Sequence, residues 1–200
     1  MKKNLPVATI LLIIVNVIVF IVSAITGDLL YNKGAFDSIL FIEKKELYRI
    51  ITAIFLHADL MHLTSNMILL YFAGELVERY CGRLRYLLIY FFAGIAGNGI
   101  SAVFDKLCHK MTSSVGASGA VFGLIGALLF LVFFAKEEYR DITPGRLVFM
   151  IIYMLYSGFT TENVNNEAHI GGLVAGFLIM PILYSHLLHS RKDIVNNRIE

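Results

Sequence analysis

Long apolar runs broken by short polar clusters dominate the chain. Six can be read, over residues 6–25, 60–77, 86–104, 115–135, 147–159 and 168–188. Most approach the ~20 residues that an α-helix needs to cross ~30 Å of hydrocarbon. The fifth is short, so a tilted, mobile or partly embedded helix is expected there. The pattern predicts an all-α membrane protein, a bundle of six transmembrane helices. One membrane domain covers 1–200, with 1–5 and 189–200 as cytoplasmic ends and 27–59 as a long outer loop. That loop is mixed in charge and carries Phe36, Phe41 and Tyr48 among its polar residues, which suits the outer interface.

Composition strengthens this picture. Of 200 residues, 58% are hydrophobic, and the mean hydropathy is +0.72. A soluble domain of this size could hardly cover so much apolar surface, so the lipid bilayer is the expected solvent. The net charge of +2 gives no reason to expect nucleic acid as a partner. The basic residues form no stripe interleaved with aromatics. Lys2-Lys3, an apolar stretch and Val22-Ser23-Ala24 have the outline of a cleaved signal peptide. The stretch exceeds the usual ~7–15 residue apolar core, so a retained helix is the better reading.

Charge sets the orientation. With a cytoplasmic N-terminus, the inner side holds Lys2, Lys3, Arg79, Arg83, Arg85, Lys136, Arg140, Arg146, Arg191, Lys192 and Arg198. The outer side holds Lys33, Lys44, Lys45, Arg49, Lys106 and Lys110. Eleven against six places both termini in the cytoplasm. Cys81 and Cys108 then lie on opposite sides and should not pair.

Polar groups inside membrane helices are costly and default to a functional reading. Three sets stand out: His57, His62 and Asn66 at the second helix, Gly116-Ala117-Ser118-Gly119 at the fourth, and Ala168-His169-Ile170-Gly171-Gly172 at the sixth. These three helices run in the same direction. Each set falls in the first one or two turns, roughly 5–10 Å below the outer hydrocarbon surface. Convergence at one depth argues for one shared site. His62 and Asn66 share a face at i, i+4, as do His169, Gly172 and Gly176 at i, i+3, i+7. Ser118 and Phe122 are one turn apart. Gly119, Gly123 and Ala127 form one small stripe, and Ala168, Gly172 and Gly176 another, which lets the two helices approach closely.

Bland readings stand beside these. A Ser in a membrane helix more often bonds its own i−4 carbonyl. Glycine stripes usually mean packing alone. A metal held by His57 and His62 is disfavoured, because i, i+5 does not put two ligands on one helical face. No nearby Cys or carboxylate completes such a site, so no metal is expected. The combination nevertheless points to acyl transfer. Serine is a weak nucleophile until a base takes its proton, and His169 is the candidate base and later acid. Glu167 should point elsewhere, which favours a Ser-His dyad over a triad, with the Phe122 ring packing the imidazole. His62, Asn66 and the Ser118 N–H can aim donors at an oxyanion. Gly116 and Gly119 permit close backbone approach. A pocket lined by His57, His62, Asn66, Asn165 and Asn166 and opening outward would supply water.

These residues resemble the rhomboid family of intramembrane serine proteases. The resemblance rests on Gly116-Ala117-Ser118-Gly119, on His57 to Asn66 as H-x4-H-x3-N, and on Ala168-His169-x-x-Gly172-x3-Gly176. Glu78-Arg79-x-x-Gly82 matches too, while Tyr48-Arg49 stands where many members carry Trp-Arg. The resemblance implies a six-helix core, Ser118 as nucleophile, His169 as base, and His62, Asn66 and the Ser118 N–H as oxyanion hole. It implies no metal or organic cofactor. Transmembrane segments of other membrane proteins are the implied substrates, reached past the fifth helix as a gate. A bacterial plasma membrane, with the site open to the outer face, is the expected location. The rivals are a non-catalytic chaperone of rhomboid type, which loss of the dyad would favour, and a small transporter. A transporter would call for paired intramembrane charges or repeat-related broken helices, and neither is present in the sequence.

Overall fold

A computed structural model describes residues 5–27, 29–135, 143–160 and 164–196, with the backbone alone at 146, 153, 155, 157–160 and 187–196. Lys2, Lys3, Lys136, Arg140 and Arg198 from the charge count lie outside the described residues. So do the side chains of Arg146, Arg191, Lys192, Tyr153 and Phe159.

Helix α1 spans Val7–Thr26. The long loop then folds into α2 (Leu29–Gly34), β1 (Phe36–Asp37), α3 (Ser38–Ile42), α4 (Arg49–Thr52) and a 3-10 turn at Ala53–Phe55. Next come α5 (Leu60–Cys81), α6 (Arg83–Cys108), β2 (Ser113–Ser114), α7 (Ser118–Phe134), α8 (Pro144–Thr160) and α9 (Asn166–Asn196). Among the described residues, four helices are long and apolar enough to cross a membrane: α1, α5, α6 and the Asn166–His186 part of α9. Helix α7 is apolar but has 17 residues, about 26 Å at the α-helical rise. Every residue from Ala120 to Leu128 in it is buried. It is apolar all round because other helices surround it.

Helices α5 and α6 overrun the apolar segments at their shared end, through Glu78, Arg79, Arg83 and Arg85. A single glycine, Gly82, joins them at φ +82°, and open space lies where its Cβ would be. Backbone conformation therefore sets the glycine there. Glu78 has a second task. It is buried, and its carboxylate accepts from the backbone N–H of Ala8 at 3.0 Å and of Thr9 at 2.8 Å, and from Thr9 Oγ1 at 2.9 Å. These are orphan donors of the first turn of α1, at the positive end of its dipole. The Arg83 guanidinium stands 3.5 Å away. Charge-assisted bonds contribute roughly 1.5–3 kcal/mol each, so this latch anchors α1 antiparallel on α5.

The outer loop is more ordered than its composition suggests. Phe36, Ala53 and Ile54 are buried in it. The Asp37 side chain caps α3 by accepting from Ile39 and Leu40 N–H at 2.9 Å. Arg49, almost fully buried, donates to the carbonyls of Asn32 (3.0 Å) and Ala35 (2.9 Å) and pairs with Glu46. The Arg49 bond, with the Tyr48 hydroxyl second, holds the Glu46 carboxyl below the usual range. Tyr48 itself is exposed, and its hydroxyl donates to Glu46 at 3.0 Å. The all-α expectation needs one amendment. Strands β1 and β2 pair antiparallel, Phe36 with Ser114 and Asp37 with Ser113, which ties the outer loop to the segment leading into α7.

Helices α7 and α9 meet through glycine. A Cβ on Gly172 would run into the Gly119 carbonyl, one on Gly176 into the Gly123 carbonyl, and one on Gly126 into the Leu173 carbonyl. From Gly119 with Gly172 to Gly123 with Gly176 the partner numbers rise together, so the helices run parallel and begin at the same end. Gly126 takes the third place in this seam, one residue before the Ala127 expected from the sequence. Helix α6 joins the contact: a Cβ on Gly97 would lie 2.6 Å from the Ala168 carbonyl oxygen.

Candidate active site

Ser118 is the first residue of α7 and His169 the fourth of α9. Because the helices are parallel and in register, both side chains reach one level. His169 Nε2 lies 2.8 Å from Ser118 Oγ. A hydroxyl donating to Nε2 requires the proton of the neutral imidazole on Nδ1. That Nδ1 is buried and has no hydrogen-bond partner among the described residues. Among the described residues no carboxylate orients the ring there. Its place is set by stacking on Phe122, with centroids 4.5 Å apart and planes 18° apart. Glu167 turns away and reaches Lys110 at 3.7 Å.

Backbone packing fixes the height of the imidazole. The Ala168 carbonyl, one residue before His169, is wedged between the glycines of two helices. A Cβ on Gly97 of α6 would come to 2.6 Å from its oxygen, and one on Gly119 of α7 to 3.4 Å. The stretch at 94–99 of α6, with glycines at 94, 97 and 99, carries this packing signal in the sequence, and the sequence reading passed over it.

On the other side of Ser118 stands Gly116, at φ +128°, where its N–H donates to the Ala53 carbonyl at 2.9 Å. A Cβ there would meet His62 Nε2 at 2.8 Å and Ser118 Oγ at 3.7 Å. The glycine thus lets the His62 imidazole and the Ser118 hydroxyl approach the same point. Asp59 caps α5 by accepting from the His62 N–H at 2.8 Å. Helix α7 carries no side-chain cap, so the N–H groups of its first turn are donors without an intrahelical acceptor.

Asn66 is buried one turn below His62, and its Nδ2 donates to the His62 carbonyl at 2.9 Å. One of its two amide protons is therefore committed to its own helix. His57 precedes α5 rather than belonging to it. Helical spacing would separate it from His62, yet the rings meet edge to face with centroids 5.3 Å apart. Burial, and His62 second, push the His57 imidazole down to about 4. A cavity of about 270 Å³ adjoins it, walled by Ser23 and Tyr31 among others. No group of three or more His, Cys, Asp or Glu able to hold a metal occurs among the described residues. Cys81 is buried and Cys108 exposed, and no disulfide joins them.

Asn165 and Asn166, read from the sequence as pocket lining, are both buried. Asn165 is spent on internal hydrogen bonds. Its Oδ1 accepts from the Ala168 N–H at 3.0 Å, and its Nδ2 donates to Ser101 Oγ at 2.8 Å and Ser114 Oγ at 3.0 Å.

Residues 44–186 match the rhomboid domain family. The chain is 37% identical over 181 residues to the rhomboid protease GluP of Bacillus subtilis (strain 168), covering 88% of this chain and 34% of GluP. It is 35% identical over 149 residues to YdcA of the same organism, covering 74% and 70%. To RHOMBOID-like protein 1 of Arabidopsis thaliana it is 36% identical over 152 residues, covering 75% and 38%. The chain belongs to the rhomboid family, and with its apolar helices it is an integral, multi-pass membrane protein. It spans about a third of the length of GluP.

Proposed function

We propose that this chain is an intramembrane serine endopeptidase that cuts transmembrane segments of other membrane proteins with a Ser118–His169 dyad. The 2.8 Å contact between His169 Nε2 and Ser118 Oγ carries the reading. His169 takes the hydroxyl proton as Oγ attacks the scissile carbonyl. The imidazolium then gives that proton to the leaving amine, which leaves an acyl-enzyme. Water, deprotonated by the same imidazole, attacks the ester, and the proton returns to Ser118. Negative charge on the tetrahedral oxygen is met by the Ser118 N–H, the positive end of α7, His62 Nε2–H and the remaining amide proton of Asn66. The chemistry calls for no metal or organic cofactor.

In this reading α1, α5, α6, α7, α8 and α9 form a six-helix core with both termini cytoplasmic, in a bacterial plasma membrane. The starts of α5, α7 and α9 then open outward, where water is available. Helix α8 lies against α7 and α9 and carries Phe149, Met150 and Met154, with no small-residue stripe for tight docking. We assign it as the lateral gate for a substrate helix.

The test uses purified protein in liposomes with a transmembrane substrate. Cleavage is expected, together with fluorophosphonate labelling confined to Ser118. Labelling at Ser113 or Ser114, or no cleavage of any transmembrane substrate, would overturn the proposal. A finer expectation concerns the donors. Loss of one oxyanion donor typically costs ~10²–10³ in kcat. His62→Ala should reach that range, and Asn66→Ala should cost less, because half of its amide is already bonded to the His62 carbonyl. Normal turnover in either variant would remove that residue from the oxyanion hole.

A further inference from the structure

We infer that Asn165 is a positioning residue for His169, one side chain that fixes the start of α9 to the segment leading into Ser118. Asparagines at helix N-caps are common and stabilise the helix start by accepting from a first-turn N–H. Asn165 does more than cap. Its carbonyl oxygen holds the Ala168 N–H, immediately before His169. Its amide spends both protons elsewhere, one on Ser101 Oγ of α6 and one on Ser114 Oγ of β2. An Asn side chain offers one acceptor group and two donors, and all are used here. The three partners belong to three separate elements.

The geometry ties the two halves of the dyad together. Ser114 is paired with Phe36 in the β1–β2 ladder and stands two residues before Gly116, the glycine beside Ser118 Oγ and His62. Ala168 is wedged between Gly97 and Gly119. A shift of the α9 start would carry His169 away from Ser118 Oγ and disturb the Phe122 stack. Among the described residues no carboxylate bonds Nδ1 to hold the ring in place. Asn165 supplies by its reach across elements the orientation that a third catalytic group supplies in a triad. It touches neither substrate nor reacting atoms.

This inference rests on the dyad reading, and the experiment separates the two. Wild-type protein, Ser118→Ala, Asn165→Leu and the double variant Ser101→Ala/Ser114→Ala are compared. Each is assayed for kcat and KM on a transmembrane substrate and for fluorophosphonate labelling rate per folded molecule. Asn165→Leu removes the cap and the fastening. The serine pair removes the amide's acceptors alone, introduces no charge, and carries the test should Asn165→Leu fail to fold. A misplacement of about 1 Å costs on the order of 100-fold in rate. We expect Asn165→Leu to lower kcat and labelling by about 10–100-fold with KM unchanged, and the serine pair to act in the same direction with a smaller factor. A lower melting temperature with wild-type kcat and labelling per folded molecule would mean that Asn165 is structural only, and the inference falls. A wild-type serine pair would overturn the fastening and with it the inference. If the wild-type protein itself is not labelled at Ser118, the dyad reading falls and this inference with it.

Discussion

Ser118→Ala and His169→Ala proteins will each cleave a transmembrane substrate at background rate, and the double variant will be no slower than either alone. In the proposed mechanism the two groups act on one proton. His169 Nε2, 2.8 Å from Ser118 Oγ, has nothing to deprotonate once the hydroxyl is gone. Without the imidazole, Oγ–H remains a weak nucleophile. Residues that work as a unit are grossly non-additive, and loss of nucleophile or base costs on the order of 10⁴–10⁶-fold elsewhere. The fold should hardly notice. The net contribution of one hydrogen bond is about 1 kcal/mol, and Ser118→Ala leaves the glycine seam of α7 and α9 intact. Melting temperature in detergent should therefore stay within a few degrees while turnover disappears. Two results would sink the dyad. One is cleavage in Ser118→Ala well above the no-enzyme background. The other is a double variant clearly worse than both single ones, because independent roles would then be adding.

The outline of the fold was legible wherever apolar runs were long. The ends of α1 fall within one residue of the apolar stretch at 6–25. Hydropathy failed where helices carry charge. The last turn of α5 and the first of α6 hold Glu78, Arg79, Arg83 and Arg85, and only Glu78's bonds to Ala8 and Thr9 explain why a carboxylate is buried there. Those partners are about 70 positions away in the chain, a distance no local pattern can report. The short elements of the outer loop were hidden for a related reason. Helices α2, α3 and α4 have six residues or fewer, and Arg49 and buried Phe36 hold them by tertiary contacts. At the site, the i, i+3 and i+4 arithmetic placed Ser118, Phe122, His169 and Gly172 on facing surfaces, and the structure brings them together. The same arithmetic misled for His57. It treated a loop residue as helical and so separated two rings that touch. Asn165 was read by type as a lining residue, whereas its use is set by hydroxyls 64 and 51 positions away.

Gly172→Ala and Gly176→Ala will lower both melting temperature and activity, while Gly99→Ala will be neutral or mildly stabilising. All three add one methyl group to a glycine inside a helix. In a solvated helix that change favours folding by up to about 1 kcal/mol, so the sign of each effect is decided by what the Cβ meets. At Gly99 the nearest atom is Ile50 Cδ1 at 3.8 Å, ordinary contact with the end of a flexible side chain. At Gly172 the new carbon collides with the Gly119 carbonyl oxygen and sits 3.2 Å from the Gly119 Cα. At Gly176 it collides with the Gly123 carbonyl and comes to 2.6 Å from the Gly123 Cα. Backbone cannot swing aside as a side chain can, so the helices must separate. Overpacking costs roughly 1–3 kcal/mol, occasionally more. Separation also lengthens the contact between Ser118 and His169, and a displacement of about 1 Å costs on the order of 100-fold in rate. Gly172 lies one turn from His169 and Gly176 two, so activity per folded molecule should fall further in Gly172→Ala. The measurements are melting temperature in detergent and fluorophosphonate labelling rate per folded molecule for all three variants. If Gly172→Ala and Gly176→Ala behave like Gly99→Ala in both, then α7 and α9 do not meet backbone to backbone, and the register that sets the dyad must be redrawn.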